Sequence, residues 1–425
     1  MKFIGKYRLF MISSIRKVLL LIFILSIPID LYNGYVQHYH QSETLLPILY
    51  KGLIIVIGFL SGFKSNKIVH IIFRVGFLVI FTFCYWIFQN YSSLAYSFID
   101  MIKLVYPYAI LMWLATNKKD IPVDKLLNYL ILYGVLMSLS IVISQALGIS
   151  IASYSDDYGY GSKGLFKAGN DISVSLIMCN CIIAYYVSKN NNYKYIIYHI
   201  IITIACLMIG STAGIVCVAV NYLFFILQYF FFKEKVTSLS KYYRFLIILV
   251  AIPLFLFAVN QIINTDSYTQ NKFSIDRLIS GGARDGLTAG FFQVVKDYSI
   301  LDYLFGLGKH EFSMRIGMTL YNIQLMKNVE VDHYDLVGAY GLLLGGILIL
   351  VPILTLIKYI KVFISRKTIF LYWMIIATSL FVFHGLTAGH AFTGIQPMTV
   401  MVGIIYLQTL IIKNESLNEQ NFMYK

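Results

Sequence analysis

Apolar runs of roughly twenty residues recur along the whole chain, each long enough to cross a hydrocarbon core about 30 Å thick. No other feature limits the fold so strongly. Inside lipid every backbone N–H and C=O needs an internal partner, so a single run of this kind has to be a helix. Of the 425 residues, 59% are hydrophobic and only 13% charged, against about 25% charged in a soluble domain. The sequence predicts an all-α polytopic membrane protein, a single integral membrane domain over 1–425 with about 12 transmembrane helices. The first run, "VLLLIFILSIPIDLY", has no small-residue cleavage site and reads as a retained span.

The spans are expected near 17–33, 45–63, 68–88, 94–115, 125–148, 171–188, 195–210, 212–232, 244–263, 335–357, 369–387 and 393–412. Basic residues collect in alternate connections, including "KSNK", "NKKD" and "KEKVTSLSKYYR", whereas "QNYSS", "IGST" and "LTAGHAFTG" contain no Lys or Arg. By the positive-inside rule both termini are cytoplasmic. The net charge of +14 is therefore read as an orientation signal rather than a nucleic-acid footprint. The five cysteines all sit in apolar runs and read as core hydrophobes. Two outward connections are long: residues 149–170, and a loop of about 70 residues, 264–334, between the ninth and tenth spans.

The large loop carries Arg277 and Arg284, seven residues apart. A guanidinium fork matches a phosphate or pyrophosphate bidentately, while pairing with Asp276 and Asp285 is the alternative. The stretch "GLTAGFFQVVKDYSILDYLFGLG" predicts short helices. Next comes "EVDHYDLVGAYG", where His333 has a side chain able to exchange a proton near neutrality. Asp332 or Asp335 would orient it as a base for a hydroxyl nucleophile, or all three would cap the following helix. In the shorter loop Lys163 and Lys167 face outward against the orientation trend, and Asn170 or Asp171 would cap the sixth span. The other outward histidines, His310 among them, show no metal-ligand spacing. Without a Walker A loop or a Rossmann fingerprint, no cofactor is expected.

Three segments together resemble the O-antigen polymerase (Wzy) and O-antigen ligase superfamily. They are "GLFKAGNDIS"; "GSTAGIV"; and the ordered set "ARDGLTAG", "LFGLGKHEF" and "VDHYDLVGAYGLLLGG". The resemblance runs over about 150–425 and implies a GT-C-like membrane glycosyltransferase that works without a metal. Such an enzyme transfers a growing glycan from undecaprenyl pyrophosphate to the sugar hydroxyl of another lipid-linked repeat unit, on the outer face of the bacterial inner membrane. A chain-length regulator and a flippase would be its partners. By position, Arg284, His333 and Asp335 would be catalytic, and Arg277, Lys163, Lys167, Asn170, His310 and Asp332 would bind substrate. The family's Arg after Thr-x-Ser is absent, since Ala213 and Gly214 follow Thr212. This favours polymerase over ligase. A flippase or other transporter is the rival class and would need charges within its spans, where only Arg74, Asp100 and Lys103 stand out.

Overall fold

The computed structural model describes residues 15–42, 44–63, 66–89, 94–153, 161–232, 237, 240–247, 283–323 and 325–413. Helices coincide with eleven of the twelve expected spans; the ninth, 244–263, lies almost entirely outside the described residues. Residues 15–20, a π turn at Leu21–Leu25 and Ser26–His40 make one helix, α1. There follow α2 (Leu46–Gly62), α3 (Asn66–Phe88), α4 (Leu94–Thr116), α5 (Val123–Ala146), α6 (Gly169–Lys189), α7 (Tyr193–Ile209) and α8 (Thr212–Phe232). Three short helices fill the described part of the large loop: α9 (Ala283–Lys296), α10 (Ile300–Phe305) and α11 (Lys309–Tyr321). The chain ends with α12 (Asp332–Tyr340), α13 (Gly346–Arg366, entered through a π turn at Gly341–Gly345), α14 (Ile369–Thr387) and α15 (Ile395–Lys413). Among the described residues the only β pairing is an isolated bridge between Ala152 and Ser162.

Among the described residues seven helices are long and apolar enough to cross a membrane: Ile68–Phe88, α4, α5, α6, α8, Asp332–Arg366 and α14. Three more apolar helices, Leu46–Gly62, Tyr193–Ile209 and Ile395–Ile411, are shorter. The chain is a multi-pass membrane protein.

At the centre lies α6, apolar all round and buried from Ile172 to Ser188, with α5, α7, α8, α14 and α15 packed about it. A helix without a polar face has to be enclosed by protein or lipid. Buried polar pairs fix neighbours in register: the Ser188 hydroxyl and the Trp373 indole N–H both donate to Gln228 Oε1, at 2.8 and 2.9 Å. In an apolar medium such donors have no water to fall back on. α2 approaches α4 closely, and a Cβ on Gly58 would stand 2.5 Å from the Ala109 carbonyl oxygen. Small residues permit this contact, as is usual between helices in membranes.

The loop helices dock on one end of the bundle, called the loop end below. Tyr85 of α3 donates to Asp302 at 2.7 Å and the Trp86 indole N–H donates to the Phe305 carbonyl at 3.0 Å. A capping box between Ser299 and Asp302 starts α10. The "FGLG" turn then crosses the end of α12, with Gly306 at φ +71° and Gly341 at φ +70°. A Cβ on Gly306 would meet the Ala339 carbonyl, and one on Gly341 would meet the Leu304 carbonyl. Each glycine thus supplies both a left-handed backbone and the space for the other. Gly341 also divides the expected tenth span, so its polar first half stands apart as α12.

Candidate functional site

The polar stretch 327–335 is drawn inward rather than left in solvent. Asp332 is fully buried. Its Oδ1 accepts the backbone N–H of His390 at 2.7 Å and the Thr393 hydroxyl at 3.0 Å. Its Oδ2 accepts the N–H groups of Ala391 and Phe392 at 2.6 and 2.7 Å. One carboxylate therefore holds the connection between α14 and α15. His384 holds the same connection from beneath, its carbonyl accepting from Ala388 and Gly389 and its Nδ1 lying 3.1 Å from the Gly389 carbonyl. Clamped from both sides, the turn carries two successive left-handed residues, Gly389 at φ +71° and His390 at φ +65°. For a side chain beyond glycine that backbone costs roughly 1–2 kcal/mol.

Asp335 is engaged in a similar way, accepting the N–H groups of Val329 at 2.9 Å and Glu330 at 3.2 Å. Both carboxylates expected to orient His333 therefore serve backbone amides instead. The imidazole is half-buried, its ring 4.1 Å from that of Tyr334, and its Nδ1 makes no hydrogen bond among the described residues. Neither aspartate caps α12 in the expected manner, since the N-cap is Val331 with no side-chain bond. The same correction applies to α6, whose N-cap is Ala168, so neither Asn170 nor Asp171 caps it. Asn170 is half-buried in the first turn. Asp171, one residue on, points at the clamped connection: His390 Nδ1 lies 3.4 Å from its Oδ1.

Beside this connection is a small cleft, lined by the polar side chains of Lys103, Lys309 and Thr393 and by apolar ones that include Leu104, Pro107, Leu336 and Met398. Two lysines therefore line one small, largely apolar recess. Lys103 is within electrostatic reach of Lys309 and of two further cations, Lys51 and Lys167. Among the described residues its salt-bridge partner is Asp100, at 4.0 Å. Lys309 is also within reach of Asp171 and Asp335. Lys51 also faces Asp30, so lysines and carboxylates alternate in this group, and Lys103 and Lys309 are the two cations of it that line the cleft.

Of the other expected site residues, Lys167 joins this group and is exposed, while Lys163 is half-buried with its N–H on the Ile151 carbonyl. His310 sits next to Lys309 and stacks on Tyr96 at 4.0 Å. Arg277 and the side chain of Arg284 lie outside the described residues. Lys51, Lys103, Lys309, Asp171 and His390 were not anticipated as site residues. Among the described residues no group of three His, Cys, Asp or Glu could hold a metal.

Helical bundle, docked loop and cationic cleft define a multi-pass membrane protein with a polar site at its loop end. The chain belongs to the family of O-antigen ligase like membrane proteins, whose family model matches residues 13–276. The match takes in "GLFKAGNDIS" and "GSTAGIV" and stops ahead of the three later segments that also carried the resemblance. No curated protein matches the chain. Membership places it among membrane proteins of O-antigen-related glycan processing.

Proposed function

We infer that the chain is a polymerase of lipid-linked oligosaccharide repeat units, a metal-independent glycosyltransferase of the GT-C type. It would move a growing glycan from undecaprenyl pyrophosphate to a sugar hydroxyl of another lipid-linked unit. The observation that carries this reading is the pairing of Lys103 and Lys309 in one recess beside the connection that Asp332 clamps. A diphosphate leaving group gains negative charge as its bond to the sugar breaks. Fixed cations in a low-dielectric recess stabilise that charge more in the transition state than in the ground state. Arg284 at the head of α9 is a further cation for the donor, and His333, with a ring nitrogen left unpartnered, would hold the acceptor sugar. Twelve crossings, cytoplasmic termini and a loop end on the outer face of the inner membrane complete the reading. A flippase and a chain-length regulator would then be functional neighbours.

The absence of an Arg after Thr212 favours chain growth over ligation. The deciding experiment uses membranes from cells that lack the gene. Restoring the chain should convert accumulated single lipid-linked repeat units into a ladder of longer ones. Transfer to a different acceptor with no ladder would make the chain a ligase, and no change in any glycan would remove the enzymatic reading.

A further inference from the structure

We propose that His390, oriented by Asp171, is the residue that takes the proton from the attacking sugar hydroxyl. The inference rests on the polymerase reading above and assigns a role that reading leaves open.

The geometry has three parts. First, the His390 backbone is fixed at φ +65° by bonds outside its own side chain: its N–H donates to the fully buried Asp332, whose other bonds hold Ala391, Phe392 and Thr393. Strained backbone held in this way by its surroundings is concentrated at functional sites. Second, a carboxylate stands beside one nitrogen of the imidazole. Nδ1 lies 3.4 Å from Asp171 Oδ1, an oxygen that has no hydrogen-bond partner among the described residues. Asp171 therefore neither caps its helix nor pairs with a lysine at salt-bridge distance, and what it faces is the ring. The backbone closes tightly here, since a Cβ on Gly394 would stand 3.0 Å from Asp171 Oδ2. Third, the side chain of His390 remains 29% exposed. Thr393 and Gly394, on the same turn, line the cleft that Lys103 and Lys309 enter. His333 has no such carboxylate, because Asp332 and Asp335 are both engaged on backbone amides.

A carboxylate on Nδ1–H leaves the lone pair on Nε2 and stabilises the imidazolium that forms. In the step, the acceptor hydroxyl oxygen bonds to the anomeric carbon of the donor glycan. Its proton passes to His390 Nε2. The bond between the anomeric carbon and the pyrophosphate oxygen breaks, and its electron pair leaves on the pyrophosphate beside Lys103 and Lys309. The proton on Nε2 is then released to water. His390 would be catalytic in this scheme and Asp171 a positioning residue.

The test uses the full chain in membranes, with the host's own accumulated lipid-linked repeat units as substrate. His390→Gly and His390→Asn both accept a left-handed backbone, so the turn is retained and only the imidazole is lost. Elongation should fall by about 10²–10⁴-fold in kcat at unchanged membrane abundance and unchanged apparent KM. Asp171→Asn should lose about tenfold or more, and Asp171→Glu should regain part of it, which a helix-start role does not predict. Wild-type kcat in His390→Gly would show that only the turn matters and would overturn the proposal. So would losses that track protein abundance. If the wild-type chain itself elongates nothing, the polymerase reading fails and takes this role with it; elongation by both wild type and His390→Gly removes the His390 role alone.

Discussion

The carboxylate of Asp332 holds the backbone N–H of His390 at 2.7 Å across 58 residues of sequence. Three other donors converge on the same two oxygens. Removing the acceptor leaves buried N–H groups without a partner, each costing about 1–3 kcal/mol. Asp332→Ala is therefore expected to destabilise the protein by about 3 kcal/mol or more. Asp332→Asn should help little, because its amide N–H would face backbone N–H groups. Thermal melting of the detergent-solubilised protein measures both, and an unchanged midpoint for Asp332→Ala would show that the clamp has no energetic weight.

The two cleft lysines should behave in the opposite way. The ion pair between Lys103 and Asp100 is long, at 4.0 Å, and although the Asp100 side chain is only 9% exposed the lysine is 45% exposed, so loss of the pair should cost no more than about 1 kcal/mol. Lys103→Met and Lys309→Met are expected to fold normally and to slow chain growth by about 10²-fold each, the scale of losing one preorganised charge-stabilising group. Polymer length on a gel beside membrane protein level separates the two effects.

Arg284→Ala should abolish long glycans and leave single repeat units on the lipid carrier. Arg284→Lys is expected to restore little, since an ammonium lacks the planar fork. Full-length polymer from Arg284→Ala at normal abundance would leave this arginine a scaffold role only.

Where "FGLG" crosses the end of α12, glycine is required twice over. Gly306→Ala and Gly341→Ala each force a left-handed backbone costing roughly 1–2 kcal/mol and drive a Cβ into the facing carbonyl. Both variants should release the loop helices, seen as faster proteolysis within 283–321 while the bundle stays intact. Equal protease resistance to wild type would contradict the crossing.

Reporter fusions after Lys118 and Lys413 should read cytoplasmic, and one at Asp302 extracytoplasmic. A cytoplasmic signal at Asp302 would put the cleft on the wrong side of the membrane for assembling outer-face polymers.

The helices were legible because burial in lipid writes itself as length and apolarity, a local property of each run. Turn chemistry was legible where one residue decides it, as at Gly306 and Gly341. The site was harder to read. Asp332 looked like a helix cap beside His333, yet its partners lie 58 to 61 positions away and no local pattern announces them. Lys103 reads in the sequence only as one of three charges within the spans, because its company with Lys309 depends on the loop folding back over α4. His390 was visible as one of a pair of histidines around "GLTAG" but had no metal spacing to recommend it. Its carboxylate neighbour stands on a helix more than two hundred residues earlier.

The anchoring of α3 has a mechanical consequence. Its last turns are tied to α10 through Tyr85 and Trp86, while an apolar furrow runs between its middle, from Gly76 to Ile80, and the flanks of α2 and α4. A long isoprenoid tail sliding into that furrow would press on a lever whose far end is the loop. Widening the furrow must either break two hydrogen bonds or swing the loop helices with it. The furrow and the docked loop helices thus share one helix, α3.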